Sequence, residues 1–247
     1  MHRSHTSLLT QCLHLAGLYI GDNLLEANQY NSQGHFEHRD IVAFHENLID
    51  EYQLRSRWYG IHQSALKKVK FSDVQRHTGK SIIEKLSTPS EHYGWKDPRA
   101  CLFLNQWNSI IPDAKYLFIV RDPSNCTESL LRRSYNKRKL KTGLFLSNAL
   151  LNLWKAYNKC IYEFVIANDQ NCALIDSRDF QNPQILNKKL NDLLIDNWGV
   201  RLNPIDTTRS YNPELVTSKS PSWTVRTAYG MRKDIQSLYG QLLELAL

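Results

Sequence analysis

Cysteine is scarce: Cys12, Cys101, Cys126, Cys160 and Cys172 are far apart, none sits in a CxxC pair, and the total is odd. That spacing excludes a disulfide framework and a structural zinc site. The thiols read as reduced, small apolar side chains, the cysteine usage of a cytoplasmic protein. Glycine (10) and proline (8) are too few for a collagen-like or low-complexity chain, and no repeat or sustained heptad occurs. Long apolar runs are missing as well. The run Leu144–Leu153 is cut by Ser147, Asn148 and Asn152 and falls short of the roughly 20 residues of a membrane span. Leu8–Ile20 has the outline of a signal sequence, but Gln11, His14 and the polar residues ahead of Leu8 fit a surface helix better.

The chain does have enough apolar residues for a core: 42% are hydrophobic and 22% charged over 247 residues. We expect one domain spanning 1–247. Basic residues outnumber acidic ones 31 to 24, a net charge of +7. Such a surplus favours a polyanionic partner, be it nucleic acid, acidic lipid or a ligand with several phosphates, without choosing among them.

Apolar positions 8, 9, 12, 13, 15 and 16 have helical spacing and predict a helix over 6–18. Asp40 is placed to cap a second helix reaching Glu51, and Asp73–Leu86 predicts a third. Tyr93–Lys96 looks extended, and Asp97-Pro98 starts a helix through Ile110. Lys115–Val120 (KYLFIV) is the clearest strand, a β-rich apolar run as in a parallel sheet buried on both faces. Helices are predicted over 125–133, 144–168, 183–197 and 227–245, a second strand over Cys172–Asp176, and a long loop over 199–224. This alternation predicts an α/β fold, a parallel β-sheet flanked by helices, with ligands at the carboxyl ends of the strands.

Two segments there suit an anion. In Met1–Leu9 (MHRSHTSLL), Arg3 and the hydroxyls of Ser4, Thr6 and Ser7 lead straight into a helix. Unpaired amides and the helix dipole favour negative charge at such a terminus, and Arg3 adds a forked cationic donor. The plainer reading is a Ser/Thr N-cap, and no Walker A loop is present. In Tyr116–Arg133, the strand ends at Arg121, a Pro turn follows, and two helical turns bring Ser129 back beside the guanidinium. The plainer reading there is an Arg121 paired with Asp122 or Glu128.

Taken in order, MHRSHTSLL, GHFEHRD (34–40), GWKDPR (94–99) and VRDP…SLLRR (120–133) resemble the bacterial sulfotransferases that use 3′-phosphoadenosine 5′-phosphosulfate (PAPS). The likeness covers residues 1–135. It implies a P-loop nucleotide-hydrolase-like sulfotransferase fold and transfer of a sulfonate from PAPS to an acceptor hydroxyl on a carbohydrate, peptide or small metabolite. It further implies that Arg3, Ser4, His5, Thr6 and Ser7 form the 5′-phosphosulfate loop, with Arg3 at the bridging oxygen. Arg121 and Ser129 would grip the 3′-phosphate, Glu37 would be the general base, and Lys96 would sit near the transferring sulfonate. His35 and His38 are rival bases, and Lys96 has the alternative of pairing with Asp97. Arg226 and Tyr229 are candidates for the adenine pocket. No metal is required, no nucleic-acid motif is present, and no membrane span is expected.

Two departures from that pattern stand out. His5 replaces a loop glycine, so its ring either crowds the 5′-phosphate or, as imidazolium, contacts it. The family's loop is also fed by a hydrophobic strand, whereas this chain starts at the loop, so we expect the sheet to lack its first strand and the protein to be less stable or less active for it. A nucleotide-binding relative with weak or no catalysis and a basic nucleic-acid-binding module are the alternative functions.

Overall fold

A computed structural model describes residues 1–26, 34–56, 60–135, 143–209 and 220–247. The helices, in chain order, are α1 (Thr6–Leu15), α2 (Arg39–Glu51), α3 (Gln63–Leu66), α4 (Asp73–Ser87), α5 (Leu104–Ile110), α6 (Pro123–Tyr135), α7 (Gly143–Ala167), α8 (Pro183–Asn191), α9 (Trp223–Gly230) and α10 (Lys233–Glu244). Two strands lie among them, β1 (Tyr116–Val120) and β2 (Cys172–Asp176). They pair in parallel, with Tyr116 opposite Cys172 and Val120 opposite Asp176.

Side chains of a strand alternate between faces, and here the alternation divides the core in two. Phe118, Val120 and Leu174 point into a large cluster with Trp154, Ile161 and Phe164 of α7. Ile119 and Ile175 point the other way, into a cluster with Leu9 and Cys12 of α1 and Leu186 and Leu190 of α8. Both faces of the sheet are therefore covered by helices, which is why β1 reads as an unbroken apolar run.

The two edges of this small sheet differ. The outer edge of β2 is taken by the chain's last residues: Leu174 forms a parallel bridge with Ala246, and the Leu247 amide donates to the Leu174 carbonyl at 2.9 Å. On the other edge of β1, no backbone hydrogen bond arrives among the described residues. That edge faces a cavity of about 510 Å³ lined by Met1, Leu9, Leu13, Trp95, Ile119 and Leu202, among others.

Several predicted elements shift. The helix expected over 98–110 is a 3-10 turn (Pro98–Leu102) followed by α5, because Phe103 has the non-helical φ of −127°. The helix expected over 183–197 ends α-helical geometry at Asn191 and finishes as a π turn, Asp192–Asn197. The last predicted helix is two, α9 and α10, broken at Arg232, whose guanidinium closes on Asp234. Asp40 does not cap α2; it lies in the first turn behind His38, where a carboxylate still complements the helix dipole. Tyr93–Lys96 makes one bridge, Tyr93 to Tyr19, and no strand. Residues 210–219 of the predicted long loop lie outside the described residues, and 199–206 are irregular as expected. All five cysteines are free, and no helix of the described residues is long and apolar enough to cross a membrane.

Candidate functional site

The site begins where β1 ends. Asp122 stops the strand by capping α6: its Oδ1 accepts from the Asn125 amide at 3.0 Å and from the Ser124 hydroxyl, with Pro123 opening the helix. Arg121 is thereby left at the strand's carboxyl end. Among the described residues it forms no ion pair with Asp122 or Glu128; its Nη1 donates to the Arg3 carbonyl at 2.7 Å. Glu128 is used elsewhere, accepting from Arg132 Nε at 3.0 Å and from the Ser222 amide and hydroxyl at 2.9 and 2.7 Å.

Arg3 completes the cluster. Its Nε donates to Ser129 Oγ at 2.9 Å, so the two halves of the sequence-predicted anion site, 126 residues apart, meet in one place. Burial and the charges of Arg121 and Arg133 lower the Arg3 pKa, and burial lowers that of Arg121, against the attraction of Asp122. Cations gathered so that they repel one another make a potential that an anion relieves.

The loop between Met1 and α1 is bent by two left-handed residues, Arg3 (φ 64°) and His5 (φ 61°). His5 is the N-cap of α1 and supplies no side-chain cap. Its ring lies edge-on to Phe180, with ring centroids 5.9 Å apart, and both nitrogens are buried without a hydrogen-bond partner. Burial, then the charges of Arg121 and Arg3, push its pKa down to about 3. His5 is therefore a neutral ring where no anion stands beside it. Ser4 is also turned inward, 1% exposed with its Oγ 4.0 Å from Cys126 Sγ. Its hydroxyl serves packing, and the anion-facing hydroxyls expected of this loop reduce to those of Thr6 and Ser7, the first two residues of α1.

Ser7 joins this cluster to a second one. Its hydroxyl donates to the His35 carbonyl at 3.2 Å and accepts from Lys96 Nζ at 3.2 Å. Lys96 Nζ also donates to the His35 carbonyl at 2.5 Å and to Glu37 Oε1 at 2.7 Å. The Lys96 partner is thus Glu37, not Asp97. Burial lowers the Lys96 pKa, with the Glu37 carboxylate opposing. His35 lies beside this pair and its pKa is lowered, by burial first and by Lys96, with Glu37 pulling the other way. His38 packs against the Gly21 backbone, where a Cβ would lie 2.4 Å from its ring, and its Nδ1 is buried without a partner.

Sequence reasoning missed what stands behind Glu37. Arg99 reaches Glu37 Oε2 at 3.4 Å, Glu46 Oε1 at 3.0 Å and Asp97 Oδ2 at 3.0 Å. Asp97 is fully enclosed and accepts from His45 Nδ1 at 2.7 Å, while His45 Nε2 accepts from the Trp107 indole at 2.8 Å. An imidazole whose Nε2 is an acceptor carries its proton on Nδ1, so His45 is assigned as the neutral tautomer. Burial alone would raise the Asp97 pKa, but the His45 hydrogen bond and the Arg99 charge outweigh it and hold the carboxyl well below its usual range. The signal for this network was present in the sequence as Asp97-Pro98-Arg99, but its partners lie far away along the chain.

Arg226 is exposed on α9, and Tyr229 packs against the large core, where burial and then Asp122 push its phenol up to about 12. Neither has a described contact with Arg3, Arg121 or Ser129. Among the described residues no group of three or more His, Cys, Asp or Glu is arranged to hold a metal ion.

No family model, no curated protein and no solved structure matches this chain. The reading of the site rests on its own chemistry.

Proposed function

We propose that this protein transfers a sulfonate from PAPS to an acceptor hydroxyl, on a P-loop-like sulfotransferase fold in which a further parallel strand would lie along the open edge of β1. One observation carries the reading: Arg3, Arg121 and Ser129 meet at the N-terminus of α1, and through Ser7 this cationic corner joins a lysine–carboxylate pair. A nucleotide bearing phosphates at both ends matches two features at once. The Arg121–Ser129 corner suits the 3′-phosphate, and the first turn of α1 with Thr6 and Ser7 suits the 5′-phosphosulfate.

The chemistry asks for these residue types. Sulfonyl transfer, like phosphoryl transfer, is an in-line displacement in which charge gathers on equatorial and leaving oxygens. Lys96, joined to the first turn of α1 through Ser7, is the cation offered to such charge, and the resemblance assigns Arg3 to the bridging oxygen. The acceptor hydroxyl needs a proton acceptor within hydrogen-bonding reach, and Glu37, 7% exposed and held by cations, is the carboxylate placed for it. The acceptor hydroxyl belongs to a carbohydrate, a peptide or a small metabolite; the alternative of a basic nucleic-acid-binding module has no motif behind it.

A second reading has an observation of its own. The neutral His5 ring occupies the loop position where a glycine would leave room for phosphate, which favours a relative that binds the nucleotide and turns it over slowly or not at all. Thermal-shift measurements with 3′,5′-diphosphoadenosine, AMP and ATP test the shared premise, since a ligand specific for the native state raises Tm by mass action. The bisphosphate is expected to give the largest shift. Equal shifts, or a binding that tracks generic RNA and collapses steeply with salt, would overturn it. Acceptor-dependent formation of 3′,5′-diphosphoadenosine from PAPS then separates the enzyme from the silent binder.

A further inference from the structure

Glu37 is covered on both sides in this structure. Oε1 accepts from Lys96 Nζ at 2.7 Å and Oε2 faces Arg99 Nη2 at 3.4 Å. A carboxylate with both oxygens engaged by cations is a poor proton acceptor, so a base at this position needs one oxygen uncovered when substrate is present.

The two cations are not equivalent. Lys96 hangs on a flexible stem and divides its three hydrogens among Glu37, the His35 carbonyl and Ser7 Oγ. Ser7 belongs to the first turn of α1, so the ammonium already touches the edge of the anion site. Arg99, by contrast, is fastened at every nitrogen. Nε is on Asp97, Nη1 on Glu46 and Nη2 on Glu37, while its backbone amide donates to Asp97 Oδ1 at 2.9 Å. Asp97 in turn is set by His45, and His45 by Trp107, all three buried. The planar guanidinium cannot turn without breaking several charged contacts.

We propose that Arg99 is the positioning residue of Glu37: when an anion fills the α1 terminus, Lys96 passes its charge from Glu37 to that anion, and Arg99 keeps the carboxylate in place with Oε1 uncovered. This deepens the sulfonyl-transfer reading and rests on it. In the step it serves, the acceptor oxygen forms a bond to sulfur and its proton goes to Glu37 Oε1. The bond from sulfur to the bridging oxygen breaks, and its electron pair leaves with the adenosine bisphosphate. The base is thus uncovered only when the donor is bound.

Lysine–carboxylate hydrogen bonds are read directly by NMR, through the coupling that crosses the bond from Lys96 ¹⁵Nζ to the Glu37 carboxyl ¹³C. The probe is PAPS added to the full chain, with Glu37→Gln used for assignment and the amides of Arg3–Ser7 reporting binding. The coupling is expected in the free protein and expected to vanish when PAPS binds. In Arg99→Gln the untethered carboxylate follows Lys96, so the coupling persists with PAPS bound. Arg99→Lys, which keeps a charge but loses the fork that ties Asp97, Glu46 and Glu37 together, is expected to behave as the glutamine variant and stands in if that variant does not fold. A coupling that survives PAPS binding in the unaltered chain overturns the proposal, as does its loss in Arg99→Gln with PAPS bound. Absence of any response of the Arg3–Ser7 amides to PAPS overturns the sulfonyl-transfer reading and this inference with it.

Discussion

Acidification is expected to weaken this protein well above the range in which carboxylates titrate, and His5 is a principal cause. The ring is buried with both nitrogens unpartnered, and its pKa is pushed down to about 3. Unfolded, the same ring regains its ordinary value near 6.5. The unfolded state therefore binds the extra proton as pH falls, and stability is complete above about 6.5 and is lost progressively toward 3. By pH 5 the loss from one such histidine is about 2 kcal/mol. His2 adds a similar amount: its ring sits against Tyr157, and burial, then Arg99, pushes its pKa to about 3. Together they remove about 4 kcal/mol between pH 8 and pH 5. The perturbation is His5→Gly, which also suits the left-handed φ of 61°. The assay is Tm by calorimetry at pH 8, 7, 6 and 5. Its value at pH 8 is set by lost ring packing against relieved strain, and the slope is the diagnostic. The variant's fall in Tm from pH 8 to 5 is expected to be smaller by roughly 4–8 °C, at about 2–4 °C per kcal/mol for a chain of this size. Parallel curves for the two proteins would refute the assignment of His5 as a buried neutral ring.

Three further expectations concern the site and the sheet. Arg121→Gln removes the cation at the end of β1 and is expected to abolish the preference for 3′,5′-diphosphoadenosine over AMP in thermal shift, with a loss of roughly 1.5–3 kcal/mol of binding for a hydrogen bond to a charged group; an intact preference would place the 3′-phosphate elsewhere. Glu37→Gln keeps the volume and removes the proton acceptor, so turnover of PAPS should fall about 10²–10⁴-fold with nucleotide binding retained; unchanged turnover would pass the role to His35. The edge of β1 that no described backbone group pairs leads to the third. A short Val/Ile-rich extension fused ahead of Met1, which lines the cavity beside that edge, is expected to raise Tm by about 5 °C or more. The same extension with alternating prolines, which lack the N–H, should not; equal effects would mean that cavity filling alone suffices.

The elements nearest the site were largely readable from the sequence because local chemistry sets them. KYLFIV is apolar on both faces, so only a buried strand accommodates it, and Asp122-Pro123 forces the turn that presents Arg121. The convergence of Arg3 with Arg121 and Ser129 was legible only as an expectation built on ordered motifs. The hydrogen bonds that realise it join residues 118 and 126 positions apart. Arg232 is the counter-case: the last helix has no proline at that point, and the break, where Arg232 leaves helical geometry and pairs with Asp234, is not revealed by helical periodicity.

Composition and local pattern determined the α/β class, the sign of the charge, the buried strand and the start of α1, since each depends on neighbours within one or two turns. Tertiary structure alone decided that His5 is neutral, that Ser4 faces the core, and that Lys96 pairs with Glu37. It also put Arg99 behind that pair through Asp97, His45 and Trp107. These outcomes depend on which distant groups exclude water and which lend charge, and folding settles both by bringing together segments whose sequences do not name one another.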